Sequence, residues 1–288
     1  MTAPSMKTLF VLSFFLHLLF MNLTLGGSLL AVWYRARGRE ASLRREIAER
    51  LARFLPFAMF ATLISGLVPW LALQNLHNQL GYTSYVLGGL PWISITLLLL
   101  AAYYGLYAFE DRKGAGWALA SALGIGGVLL LFTRYLAEPT PSLLEQATYP
   151  ALGVASTLLP RFTHFLVGAL AVACGFVVFL GLLERANPSP FSRFAIVSGA
   201  RGYILFTLLQ YLVGAWYFLA LPAAMIARFL GGNWISTALL GTALAVSLAS
   251  IFFMHRATKV ENRIPPAVTG MGGLLVTLLL MILVRDRL

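Results

Sequence analysis

The chain has 288 residues, of which 59% are hydrophobic and only 11% are charged. Soluble domains carry about a quarter charged residues, so this composition excludes a soluble globular protein and indicates an integral membrane protein. The net charge of +11 does not indicate a nucleic-acid partner, because most lysines and arginines lie in short segments beside apolar runs, as the positive-inside rule describes.

Eight apolar segments are long enough to cross the membrane as helices, which takes about 20 residues for a hydrocarbon core of about 30 Å. They lack the alternating pattern of a membrane β-barrel. We therefore predict an all-α integral membrane protein, a single bundle of about eight transmembrane helices. The predicted spans are residues 8–34, 54–76, 85–109, 117–136, 161–183, 194–221, 234–254 and 267–284.

Four alternate connections are basic, and the first of them, Arg35 to Arg53, carries seven arginines. Because basic connections stay on the cytoplasmic side, we predict a bacterial inner-membrane protein with both termini on the outer, periplasmic side.

Residues 40–55 place Leu43, Ile47 and Leu51 on one helical face and charged residues on the other. This pattern predicts an amphipathic helix on the inner membrane surface.

Two histidines lie inside predicted spans, His17 in the first and His164 in the fifth. At 1.5 Å per residue they are ~13 Å and ~5 Å below the outer edge, both in the outer half. Lipid offers an imidazole no hydrogen-bond partner, so such a residue is expected to face the bundle interior and a ligand. A packing or interfacial role for either histidine remains open at this point.

Small residues follow the second histidine at helical spacing. Gly168, Ala171 and Gly175 lie four, seven and eleven residues after His164, and Arg161 lies three residues before it. This arrangement would let a haem lie flat against the helix, with Arg161 near a propionate. The same glycine spacing is also typical of close helix packing, so both interpretations stand.

The sixth span carries a polar stripe on one helical face. Its members are Tyr203, Thr207, Gln210, Gly214 and Tyr217. Interhelical hydrogen bonding explains such a stripe, and a contact surface for haem or quinone is the alternative.

Two segments resemble those of a known family: HLLFMNLTLG, which begins at His17, and RFTHFLVGALAVACGF, which begins at Arg161. Both are similar to spans of the quinol-oxidising subunit I of cytochrome bd oxidases, in which the matching histidines ligate haem. The YTSYV segment before the third span fits as well, and the resemblance covers about the first 185 residues. The resemblance implies that His17 and His164 are axial ligands of haem b.

Three features depart from that family. Its third span carries glutamates at the oxygen-reducing haem, whereas WISITLLLLAAYYGLYAF has none here. Its long charged quinol-binding loop has no counterpart, since only a short connection, residues 221–233, joins the sixth span to the seventh. The methionine that partners its fifth-span histidine has no counterpart that can be placed in this sequence, and Met225 and Met254 are no more than guesses. These departures disfavour oxygen reduction and favour electron transfer.

We therefore predict a haem b-containing subunit of a respiratory complex that moves electrons between membrane quinol and an outer-side carrier, a cytochrome or an iron–sulfur subunit. One or two haems b are expected. His77, beside Gln74 and Asn75, is the candidate for accepting a quinol proton at the outer edge. The haem-site residues are His17 and His164 as ligands of iron, Arg161 and Arg134 as propionate partners, and Gly168 and Gly175 beside the macrocycle.

Two other functions remain open. A terminal quinol oxidase subunit would reduce oxygen, but it requires acidic residues at a second haem, which the third span lacks. A haem-free transporter or structural membrane subunit would use the histidines for packing or substrate binding. Membrane lipid and other subunits of a complex are the expected partners in each case, and nucleic acid is not.

Overall fold

The computed structural model describes residues 3–37, 42–76, 89–112, 114–135, 152–187 and 189–285, and within these ranges the chain is helical without strands. A kinked turn, Arg228–Gly232, in which Gly231 has φ 105°, joins the helices Ala223–Ala227 and Trp234–Lys259. The α-helices are α1 (Ala3–Arg37), α2 (Ser42–Leu76), α3 (Gly89–Arg112), α4 (Ala115–Tyr135), α5 (Leu152–Leu182), α6 (Pro190–Leu219), α7 (Ala223–Ala227), α8 (Trp234–Lys259) and α9 (Ile264–Arg285).

Seven segments of these helices are long and apolar enough to cross a membrane, and each overlaps one predicted span. They are Ser5–Arg37, Ser42–Pro69, Ile93–Asp111, Thr157–Leu182, Pro190–Leu219, Trp234–Lys259 and Ile264–Arg285. Helix α4 contributes a shorter apolar stretch, Ala115–Leu131, where the fourth span was predicted. The prediction of a multi-span helical membrane protein is thus confirmed.

The amphipathic stretch 40–55 is not a separate helix in the structure. From Ser42 onward it forms the first part of α2, which continues without a break to Leu76. Its apolar residues Ile47 and Leu51 are fully buried, and α2 packs along α1. Because this buried face continues in register into the span, the helix continues as well, and Pro56 inside it does not end it.

Helix α1 lies at the centre of the bundle and packs against α2, α4, α5 and α9. At Gly26 the backbone approaches α5 so closely that an added Cβ would overlap the carbonyl oxygen of Ala169. The buried hydroxyls of Thr24 and Ser28 donate to helix carbonyls, at 2.7 Å to Phe20 O and 2.6 Å to Thr24 O. The polar residues that follow His17 are therefore satisfied largely within the helix.

Helices α6 and α9 pack against α5, and α8 packs against α6 and α9. The Tyr203 hydroxyl of α6 bonds Ser250 Oγ of α8 at 2.8 Å, and that serine donates to Gly270 O of α9 at 2.8 Å. Cys174 of α5 is buried, in contact range of Gly202 of α6. Polar bridges and small residues bring these helices together, as is usual inside membranes.

Candidate functional site

His17 is half-buried, and its ring faces α2. Its Nδ1 lies 3.0 Å from the backbone oxygen of Thr62. A Cβ added at Gly66, one turn further along α2, would lie 2.7 Å from both Cε1 and Nδ1 of His17. The glycine therefore makes the space in which the imidazole reaches the α2 backbone.

This hydrogen bond determines which ring nitrogen of His17 carries the proton. A carbonyl oxygen can only accept, so Nδ1 is the donor and carries hydrogen. In the neutral imidazole the lone pair is then on Nε2, and no hydrogen bond from the described residues reaches that atom. Histidines that bind metals commonly donate their other N–H to a backbone carbonyl in this way, which orients the ring and fixes the tautomer.

An aromatic side chain lies beside His17, and a cationic side chain lies over that aromatic ring. The Phe14 ring stacks on the imidazole at 6.3 Å between centroids, with 27° between planes. The Arg285 guanidinium lies over the Phe14 ring, 4.6 Å from its centroid. Sequence reasoning missed Arg285, whose only signal was a basic residue in the last turn of the last helix. The fold brings it from α9 to the His17 end of α1.

His164 is half-buried between α5 and α6. Gln210 Nε2 lies 3.0 Å from Nδ1, 3.0 Å from Nε2 and 3.0 Å from the backbone oxygen of His164. The Tyr217 ring centroid is 5.8 Å from that of the imidazole. Gln210 and Tyr217 both belong to the predicted polar stripe of the sixth span, so part of that stripe faces the second histidine.

The inner end of the stripe, at Tyr203, faces α8 instead. Tyr203 bonds Ser250 of α8, and the neighbouring residue Tyr211 bonds Ser247 of the same helix. Helix α6 thus divides its polar residues between α5 and α8. The interhelical hydrogen bonding that the stripe predicted is present on both sides.

Arg161 is held against Tyr217. Its Nε donates to the Tyr217 hydroxyl at 3.2 Å, and its guanidinium carbon lies 5.6 Å from the ring centroid. Arg161 therefore contacts the same face of α6 as His164 does. The side chains of Arg134, Gln74 and Asn75, and all of His77, lie outside the described residues.

The small residues along α5 contact side chains of two other helices. A Cβ at Gly168 would lie 3.3 Å from Gln210 Nε2 of α6. A Cβ at Gly175 would lie 2.6 Å from Leu274 Cδ1 and 3.5 Å from Met271 Sδ of α9. In this structure the glycines serve close helix packing, and a macrocycle along this face would displace those side chains.

The two histidines are not brought together. The His17 ring contacts α2, and the His164 ring contacts α6. Among the described residues no group of three or more histidine, cysteine, aspartate or glutamate side chains is placed to hold a metal ion. Iron in a haem needs only axial ligands from the protein. Each histidine is thus a separate candidate ligand.

A charged cluster lies at the other end of the bundle, where α2 meets the bend between α5 and α6. Arg50 Nη2 donates to Glu46 Oε1 and to Glu184 Oε1, both at 2.6 Å. The Arg50 guanidinium also lies 3.6 Å from the Phe191 ring centroid. The hydrogen bond from Ser189 and the charge of Arg50 lower the pKa of Glu184, outweighing partial burial. Sequence reasoning missed this cluster, because Arg50 and Glu184 are far apart in the chain.

Comparison of the chain with family models and with curated proteins finds no match.

Proposed function

We propose that this chain is a haem b-containing membrane subunit of a respiratory complex, which passes electrons between membrane quinol and an outer-side carrier. The observation that supports it best is the His17–Thr62 hydrogen bond. It places the proton on Nδ1 and leaves the Nε2 lone pair for a metal, which is the arrangement of a preorganised axial ligand. The resemblance of HLLFMNLTLG to a haem-binding span adds to this support.

When bound, the haem would supply one-electron oxidation and reduction. The chain's own residues bind and orient it. His17 offers Nε2 to the iron while the Thr62 carbonyl prevents the ring from turning. Arg285, near Phe14, and Arg161, near His164, offer positive charge to propionates, as does Arg134 in the sequence-based prediction. His164 is the second proposed ligand, of the same haem or of another.

The membrane arrangement is part of the proposal. Helix α4 is taken as a further span, which brings the number to eight and puts both termini on the same side of the membrane. The basic connections make that the outer side of a bacterial inner membrane, and both histidines then lie in its outer half. Quinol would then deliver its electrons near that side, with His77 accepting a proton. An outer-side cytochrome or iron–sulfur subunit would take the electrons onward, so the chain works as one subunit among others.

A spectrum of the purified protein tests the proposal. We expect the dithionite-reduced minus oxidised difference spectrum to show the α band of haem b. His17→Ala should abolish or shift the band of its haem, and His164→Ala should alter the band of any haem that it ligates. His255→Ala is the matched control, because His255 is exposed at the end of α8. A wild-type protein without the band contradicts the proposal.

One observation favours a haem-free structural or transport subunit instead. The α5 glycines contact Gln210, Leu274 and Met271, which is the packing that a purely structural helix needs. The absence of the α band would support this alternative. A quinol oxidase is the other rival, and quinol-dependent oxygen consumption by the purified complex would separate it from an electron-transfer subunit.

A further inference from the structure

Arg201 is a charged residue deep inside a predicted membrane span. The eight predicted spans contain two other charged residues, Arg134 and Arg161, and both of these lie at or near a span end. Arg201 lies seven residues beyond Phe194, where the sixth predicted span begins. At 1.5 Å per residue this is a depth of ~10 Å. A charged side chain at such a depth is costly in lipid and normally pairs with another polar group.

The structure gives Arg201 no such pairing group. The side chain is exposed on α6, and no hydrogen bond, ion pair or ring contact joins it to any of the described residues. Arg161, in contrast, donates to the Tyr217 hydroxyl. The group that compensates the charge of Arg201 therefore lies outside the described part of the chain.

Arg201 begins an exposed row along α6, which we call the leucine row. Its members recur alternately four and three residues apart and are all exposed: Arg201, Leu205, Leu208, Leu212, Ala215 and Leu219. The four leucines are between 49% and 73% exposed. This alternation is the one by which two helices pack along each other. Gln210, on the opposite face of α6, contacts α5 instead.

We propose that the leucine row binds a transmembrane helix of another subunit, and that this helix carries an aspartate or glutamate that pairs with Arg201. Charge complementarity identifies the partner, because the row supplies one cation, no anion and otherwise apolar side chains. The partner helix is therefore apolar with one carboxylate at the depth of Arg201. The inference rests on the part of the proposed function that makes the chain one subunit among others, and it does not need haem.

A second copy of this chain does not fit the leucine row. Two copies have the same orientation in the membrane, so the two-fold axis of a symmetric dimer is perpendicular to the membrane. Each residue of the row would then meet its own counterpart. Arg201 would face Arg201, and the two charges would repel each other in a medium that screens them poorly.

A lipid phosphate is the other anion that a membrane offers, and it fits less well. Helical side chains point toward the N-terminus of their helix, so Arg201 points toward the Pro190 end of α6. Its side chain would have to extend along most of the ~10 Å to the membrane edge to reach a headgroup. A carboxylate on a neighbouring helix meets the guanidinium at its own depth, and the same helix covers the leucines.

Photo-crosslinking in native membranes tests the surface. Benzoylphenylalanine would replace Leu205 or Leu212 in the full chain, and mass spectrometry would identify the adducts. We expect both positions to give an adduct with the same second protein, within an apolar span that contains an aspartate or glutamate. Leu100 of α3 is the matched control, because it is 62% exposed and α3 packs against α2 and α4. The probe at Leu100 should not give this adduct.

Three results of the crosslinking would overturn the proposal. They are adducts with lipid alone, adducts with a second copy of this chain, and adducts with a span that has no carboxylate. The first would assign the leucine row to lipid and the charge of Arg201 to a phosphate.

Charge exchange tests the pairing itself. Arg201→Gln should lower the yield of the adduct at least about tenfold, as expected when one member of a desolvated charge pair is lost. Arg201→Lys should keep most of the yield, and Arg201→Glu combined with an arginine in place of the partner carboxylate should restore it. An unchanged yield in Arg201→Gln, or no recovery in the exchanged pair, contradicts the proposal. Unfolding of the Arg201→Gln chain in SDS mixed micelles should match the wild type, which shows that its fold is intact.

These results are separable from the haem proposal. A charge-dependent adduct in a complex without the α band of haem b would uphold the leucine row as a docking surface and contradict the proposed function. An α band together with lipid adducts alone would uphold the haem and reject the docking surface.

Discussion

At the level of single residues, the hydrogen-bond partner of each histidine determines what its ring can do. Residue type and depth made both His17 and His164 candidates for iron. The structure distinguishes them, because Thr62 O accepts from one ring while the Gln210 amide nitrogen lies 3.0 Å from both nitrogens of the other and donates to the His164 carbonyl. The sequence did not predict that Thr62 and Gln210 pair with these histidines, because they lie 45 and 46 residues away in the chain.

Gly66→Ala tests the placement of His17. The new Cβ would lie 2.7 Å from two atoms of the imidazole, so the ring must move and its bond to Thr62 must lengthen or break. We expect the free energy of unfolding to fall by about 1–3 kcal/mol, the usual cost of overpacking, as measured by SDS titration in mixed micelles. Gly241→Ala is the control, because nothing lies within 4 Å of a Cβ there. Equal stability of the two variants would contradict the placement.

Glu184→Gln tests the charged cluster through its pH dependence. Ser189 and Arg50 lower the pKa of Glu184 in the folded protein. A carboxylate of this kind contributes stability that is complete above its ordinary pKa near 4.5 and is lost as the pH falls through the lower folded value. We expect thermal unfolding in detergent to show this loss in the wild type and a smaller one in Glu184→Gln. Glu261→Gln is the control, because Glu261 is exposed. A pH profile of Glu184→Gln identical to that of the wild type would rule the account out.

At the level of helices, close backbone approach holds α1 in the centre of the bundle. Gly26 faces the Ala169 backbone of α5, and Gly27 faces the Leu55 side chain of α2. A backbone carbonyl cannot move aside without moving its helix, whereas a leucine side chain can adopt another rotamer. A side chain added at Gly26 is therefore expected to destabilise the fold more than one added at Gly27.

The pair Gly26→Ala and Gly27→Ala tests this difference. Gly26→Ala should separate α1 from α5 and cost about 3 kcal/mol, at the upper end of overpacking. Gly27→Ala should cost less, because only the end of the Leu55 side chain must yield. Unfolding in SDS mixed micelles measures both, with Gly272→Ala as a control in open space. A larger loss in Gly27→Ala would mean that α1 and α5 do not cross where the structure places them.

At the level of the whole molecule, hydropathy predicted the architecture because lipid imposes one length and one polarity on every span. The seven membrane-crossing segments overlap predicted spans for this reason. Hydropathy did not predict that residues 42–55 form one helix with the second span, since an amphipathic face packs equally well against a membrane surface or another helix. Hydropathy also does not identify which side chains of neighbouring helices contact the α5 glycines, which are here Gln210, Leu274 and Met271.

The predicted orientation of the molecule rests on its basic connections and is testable by fusion. We expect alkaline phosphatase joined to the C-terminus to be active in bacteria, because that enzyme matures only outside the inner membrane, where the positive-inside rule puts this end. A fusion inside the basic connection near Lys259 should be inactive. The reverse pattern would contradict the predicted topology and place both histidines in the inner half of the membrane.

The central claim, that His17 binds haem iron through Nε2, is tested most directly by chemical rescue. The measurement is the haem content and reduced-minus-oxidised α band of His17→Gly, purified with and without added imidazole. We predict that the wild type carries haem b, that His17→Gly loses the band of that haem, and that imidazole restores part of it. A wild type without haem, or a His17→Gly protein whose band equals that of the wild type, would contradict the claim.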